Sequence, residues 1–180
     1  MKKAIVFLAE GFEEIEAISV IDILRRAEIS VTSVSIGKEK EVKGAHNVPV
    51  VADKLFEEVD FSSYDMLVLP GGMPGAKNLK EHKGVEQQIE AFEKDKQIGA
   101  ICAAPMILGS MGLLKGKRAT CYPGFEAELI EATITNEPVT VDGNITTGKG
   151  PAFAIQFALQ LVETLAGKAT RDEVANGLLL

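Results

Sequence analysis

A chain of 180 residues with 46% hydrophobic side chains can fill one large core, and residues 1–180 are expected to form a single domain. Its 19 basic and 26 acidic residues leave a net charge of −7, which argues against nucleic acid or an anionic membrane surface as a partner. With only two cysteines, Cys102 and Cys121, there is no disulfide framework to expect.

The start, Met1-Lys2-Lys3 and a few mostly apolar residues before Glu10, lacks the long apolar region of a signal peptide. No apolar run approaches the roughly 20 residues that span a bilayer. A reducing cytoplasm with both thiols free is the expectation.

The first apolar run, Ala4 to Leu8, reads as a strand, and a helix is predicted from Glu13 to Ala27. Advancing about 100° per residue from Ile15 places Ile23, Ala27, Val20, Leu24, Ala17 and Ile21 on an arc from about 80° to about 240°. Glu16 falls near 100°, inside that apolar stripe. Burial penalises a carboxylate, so Glu16 must be paired or must hold a proton, and in its protonated form it can donate a hydrogen bond to a thiolate. The alternative is that Glu16, with Glu13 and Glu14, only complements the helix dipole from solvent.

Val31 to Ile36 is the next strand, Val42 to Val51 a small hairpin with Gly44 and Pro49, and Met66 to Leu69 the third sheet strand. It runs into Leu69-Pro-Gly-Gly-Met-Pro-Gly75, whose backbone amides can hold an anion; Gly72 is a candidate oxyanion donor, although a Pro-Gly-Gly turn is often just a turn. Ile98 to Ile101 leads into Cys102-Ala-Ala-Pro105, a change from strand-like to helical residues. A thiol at a helix N-terminus faces unpaired amides that lower its pKa, and the same N–H groups can cradle a developing oxyanion. Cys102 read alone is equally a small buried hydrophobe ending a core strand.

Further on, Thr120-Cys-Tyr-Pro123 brings Cys121 and Tyr122, and Met73 and Phe125 are candidate pocket walls together with Glu13. Cys121 reads equally as a buried strand residue. Asp142-Gly143 between two β-type pairs signals a two-residue hairpin. Gly148-Lys-Gly-Pro151 caps a helix from Ala152 to Ala166 that closes at Gly167, and a last helix begins near Thr170. Strands alternating with helices describe a mainly parallel sheet in a flavodoxin-like three-layer α/β/α sandwich, with sites at the carboxyl ends of the strands. His46 and His82 stand apart with no clustered ligand spacing, so no metal site is expected, and both precede Cys102, which excludes a downstream histidine base.

Leu8-Ala-Glu-Gly-Phe-Glu-Glu-Ile-Glu16, Val68-Leu-Pro-Gly-Gly72, Ala100-Ile-Cys-Ala-Ala-Pro105 and Gly148-Lys-Gly-Pro151 together resemble the ThiJ/PfpI family, in the branch of the human parkinsonism-associated protein deglycase. The resemblance implies Cys102 as nucleophile and oxidation site, Glu16 as its protonated partner, and the amides of Gly72 and Ala103 as an oxyanion hole. It also implies a homodimer, no cofactor, and a stress-response role on reactive aldehydes or glycated groups as a glyoxalase or deglycase. A non-enzymatic redox sensor or chaperone acting through the sulfinic acid of Cys102 is the alternative. Two positions depart from the family's enzymes. Ala103 replaces the histidine that follows the nucleophile in its proteases, so the protein is not expected to be a protease. Tyr122 replaces a histidine found in glyoxalase-competent members, and its hydroxyl is a poor base at neutral pH.

Overall fold

The computed structural model describes residues 1–180. In chain order its elements are β1 (Lys3–Leu8), α1 (Glu14–Arg26), β2 (Ser30–Ser35), β3 (Glu41–Lys43), β4 (Pro49–Val51), β5 (Lys54–Leu55), β6 (Met66–Leu69), α2 (Gly75–Glu81) and α3 (Lys83–Glu93). There follow β7 (Gln97–Ile101), α4 (Pro105–Ser110), β8 (Arg118–Ala119), β9 (Thr133–Ile134), β10 (Val139–Asp142), β11 (Ile145–Gly148), α5 (Ala154–Ala166) and α6 (Lys168–Gly177).

Seven strands form one sheet in the order β10-β11-β7-β6-β1-β2-β5, with only β10 antiparallel to its neighbour. The central strands β1 and β6 are buried along nearly their whole length, as continuous apolar runs such as Met66–Leu69 require when both faces are covered. Helices α1, α5 and α6 pack on one face and α2, α3 and α4 on the other, giving the three-layer sandwich. Phe7, Phe12, Phe92 and Phe157 are fully buried in its core. No helix is long and apolar enough to cross a membrane.

The apolar stripe of α1 decides which of its residues are covered. Ala17, Val20, Ile21, Ile23 and Leu24 are buried, and so is Glu16 at 0% exposure, which removes the reading of Glu16 as a solvated dipole partner. Most boundaries shift by a residue from the sequence reading, and three shifts have a visible cause. The hairpin between β10 and β11 turns on Gly143 and Asn144 rather than Asp142 and Gly143, because Asp142 pairs with Ile145. Gly143 takes the left-handed φ of 61°, while the Asn144 amide is drawn away to donate to the Glu93 and Lys96 carbonyls. A turn of 3-10 helix over Pro151–Phe153 delays α5 to Ala154, and α6 begins at Lys168, directly after Gly167 at φ 88°.

Candidate active site

Strands β1, β6 and β7 are adjacent and parallel, so their carboxyl ends bring together Ala9–Glu13, Pro70–Pro74 and the Cys102 turn. Cys102 follows β7 at φ 64°, a left-handed conformation that costs a non-glycine residue on the order of 1 to 3 kcal/mol. Hydrogen bonds on both sides hold it there. Its N–H donates to the Gly148 carbonyl at 2.9 Å, and its carbonyl accepts from the Tyr122 N–H at 2.9 Å. This turn carries the side chain away from the strand's line and toward β6 and α1.

Glu16 reaches the same point from α1. The Gly71 N–H donates to its Oε2 at 2.8 Å, while Oε1 is buried without a hydrogen-bond partner, and the carboxyl as a whole lies beside the Cys102 thiol. Gly71 owes its identity to this crowding. A Cβ there would lie 2.6 Å from Cys102 Cβ, 2.7 Å from Glu16 Oε2 and 2.9 Å from the Ile101 carbonyl oxygen. Gly72 is required next to it, with φ 86° and a hypothetical Cβ 2.5 Å from the Glu13 nitrogen. The glycine turn is locked to the helix start in return, since the Glu13 N–H donates to the Gly71 carbonyl at 2.9 Å and Glu13 Oε2 accepts from the Glu16 N–H at 2.8 Å.

The four residues Cys102, Glu16, Gly72 and Ala103 therefore meet, with the amides of Gly72 and Ala103 facing the sulfur and favouring its anion. Electrostatics correct one expectation. The Cys102 thiol is pushed up to about 12, first by burial and then by the charge of Glu16 and the hydrogen bond to it, which outweigh the two amides. The sequence reading of a depressed thiol pKa assumed that Cys102 opens a helix, but α4 starts three residues later, at Pro105. Burial likewise raises Glu16 to about 7, against the lowering effect of its hydrogen bonds from Gly71 and Cys102. Between these values the pair holds one proton and one negative charge, and the Glu16 carboxyl is the group placed to exchange that proton with sulfur.

Other candidates flank this centre. Tyr122 is half-exposed, tied by its backbone to Cys102, with its ring over Gly150. Met73 and Phe125 line an open groove of about 690 Å³ with Met106 and three lysines. Cys121 is buried, its thiol raised to about 11 by burial and by Glu126, and so is a poor thiolate. Glu13 caps α1 rather than lining the groove.

Sequence reasoning missed Gly71, having assigned a role only to the second glycine of the pair. It also missed the surroundings of His46, which is not isolated. Its Nδ1 lies 2.8 Å from Glu14 Oε2 and 3.9 Å from Glu13 Oε1. Glu14 also accepts from the backbone N–H groups of His46 and Val48, pinning the β3–β4 hairpin to α1. Burial alone would raise the Glu14 carboxyl, but its bonds from His46 and Val48 hold it below the usual carboxylate range.

The sequence model described as the DJ-1/PfpI family matches residues 2–164. Protein DJ-1 homolog A of Arabidopsis thaliana is 40% identical over 183 residues, covering 99% of this chain and 47% of its own, so the chain spans about half the length of that relative. Glutathione-independent glyoxalase DJ-1 of Schizosaccharomyces pombe is 34% identical, covering 99% of this chain and 98% of its own. Among solved structures, Toxoplasma gondii DJ-1 in oxidized form superposes with a TM-score of 0.95 at 38% identity, covering 99% of this chain and 98% of that one.

Proposed function

Because the chain belongs to the DJ-1/PfpI family, we propose that it is a cofactor-independent stress-response enzyme acting on small reactive aldehydes or their adducts, with Cys102 as nucleophile and Glu16 as proton carrier. The observation that supports this most is the pairing of a buried thiol with a neighbouring carboxyl raised to about 7. A group that titrates near neutrality is suited to take a proton and return it.

With methylglyoxal, the Cys102 sulfur bonds to the aldehyde carbon as the Glu16 carboxylate takes the thiol proton. The developing alkoxide accepts from the amides of Gly72 and Ala103. Protonation of that oxygen gives a hemithioacetal. Glu16 then moves the proton on the former aldehyde carbon to the neighbouring carbonyl carbon, while the hemithioacetal hydroxyl proton passes to the carbonyl oxygen; this leaves a thioester of lactate, and water hydrolyses it to regenerate the thiol. The net change is methylglyoxal plus water to lactate, with no oxidant or cofactor. The Schizosaccharomyces pombe relative, named a glutathione-independent glyoxalase, supports this class of reaction. We place the protein in the cytoplasm, as a homodimer; Ile15 and Ile18, exposed apolar residues on α1, support a second copy as partner.

Lactate production from methylglyoxal tests the proposal. It should be present in the wild type and fall to background in Cys102→Ser; equal rates in both would reject it. Tyr122→His should raise turnover severalfold by setting a side chain with a near-neutral pKa beside the cysteine turn. An unchanged rate would show that Tyr122 does not limit the reaction.

Tyr122 also favours a second reading, in which Cys102 is an oxidation sensor. Two equivalents of peroxide would each transfer one oxygen to the sulfur and leave as water, giving a sulfinic acid. In that case mild peroxide should add two oxygen atoms at Cys102, read by intact mass, in a protein with no turnover.

A further inference from the structure

We infer that Glu13, Glu14 and His46 form a binding site for a first-row divalent cation of the Zn2+ or Mn2+ class, on the outer side of the α1 N-terminus. The site is independent of the aldehyde chemistry proposed above. One ligand atom from each residue lies within 4.8 Å of the others. His46 Nδ1 is 2.8 Å from Glu14 Oε2 and 3.9 Å from Glu13 Oε1. Bonds of about 2.1 Å place ligand atoms roughly 3 to 3.5 Å apart in octahedral or tetrahedral geometry, so the three atoms need to move by less than about 1 Å to share one ion.

A separate observation points the same way. Glu13 is 6% exposed, yet no lysine or arginine lies within 4.0 Å of its carboxylate. Buried carboxylates are ordinarily paired with a cation or bound to a metal. Glu13 Oε2 is used in capping Glu16, while Oε1 has no hydrogen bond and points toward the His46 ring. The His46 side chain itself is largely exposed, so it can turn to meet an ion and leave further positions to water. One imidazole nitrogen and two carboxylate oxygens suit borderline first-row ions, and fall short of the six to eight oxygens that Ca2+ takes.

The test is calorimetric titration of untagged full-length protein with Zn2+ and with Mn2+, in a Cys102→Ser, Cys121→Ser background that removes both thiols as competing ligands. One ion should bind per chain. His46→Ala, which touches no core contact, and Glu13→Gln should each weaken binding at least tenfold, while His82→Ala should leave it unchanged. Absence of binding, or binding that survives His46→Ala at full affinity, would overturn the site.

Discussion

Glu16→Gln is expected to lower kcat/KM for methylglyoxal by about 10² to 10⁴, the usual contribution of a positioned acid–base group, and to abolish the rise of the rate through pH 7. Glutamine keeps the shape of the side chain and its carbonyl can still accept from the Gly71 N–H, so the glycine turn stays in place. It cannot take the thiol proton. The same substitution should change stability in the opposite sense. The unfolded glutamate ionises near 4.5 and the folded one at about 7. Between these values the unfolded chain has given up its proton while the folded chain keeps it, so stability falls as pH rises through the window and the loss is complete above it. A shift of this size is on the order of 3 kcal/mol. Thermal melts at pH 5 and pH 8 should therefore diverge for the wild type by more than for Glu16→Gln, and parallel behaviour of the two proteins would show that Glu16 is not raised.

Gly71→Ala is expected to cripple the site without touching a reactive group. The added methyl meets Cys102 Cβ, Glu16 Oε2 and the Ile101 carbonyl, all inside 3.0 Å. Only Glu16 Oε2 ends a side chain, and it is buried and held by the Gly71 N–H; the Cys102 Cβ and the Ile101 carbonyl move only with the backbone. Relief requires the glycine turn to move away from β7 or the Glu16–Cys102 pair to separate, at a cost of about 1 to 3 kcal/mol in stability. Misplacement of the pair by about 1 Å should lower turnover by about 10²-fold. Gly177→Ala, where a Cβ meets nothing within 4 Å, serves as the control and should leave both stability and turnover near wild type. Turnover at the wild-type level in Gly71→Ala would show that the close approach of the three elements is not needed for activity.

How legible these features were in the sequence depends on whether they are local. The strands that carry the site are unbroken apolar runs, and α1 shows its buried face by angle, so Glu16 stands out from the sequence itself. The Cys102 turn was visible from the change of residue type and from Pro105. Its protonation was not, because the raised thiol follows from burial and from the charge of Glu16, which α1 supplies from far back in the chain. His46 shows the same limit, since its partner Glu14 is 32 residues away and only folding of the β3–β4 hairpin onto α1 brings them together. The two-residue strands β5, β8 and β9 are too short to show a period at all.

The account rests on one proton held between Glu16 and Cys102. The most direct measurement is the rate of Cys102 alkylation by iodoacetamide as a function of pH, in a Cys121→Ser background with Glu16 or with Gln at position 16. An inflection near pH 7 that is present with Glu16 and absent with Gln is the result the shared proton predicts. Superimposable profiles in the two proteins would contradict it.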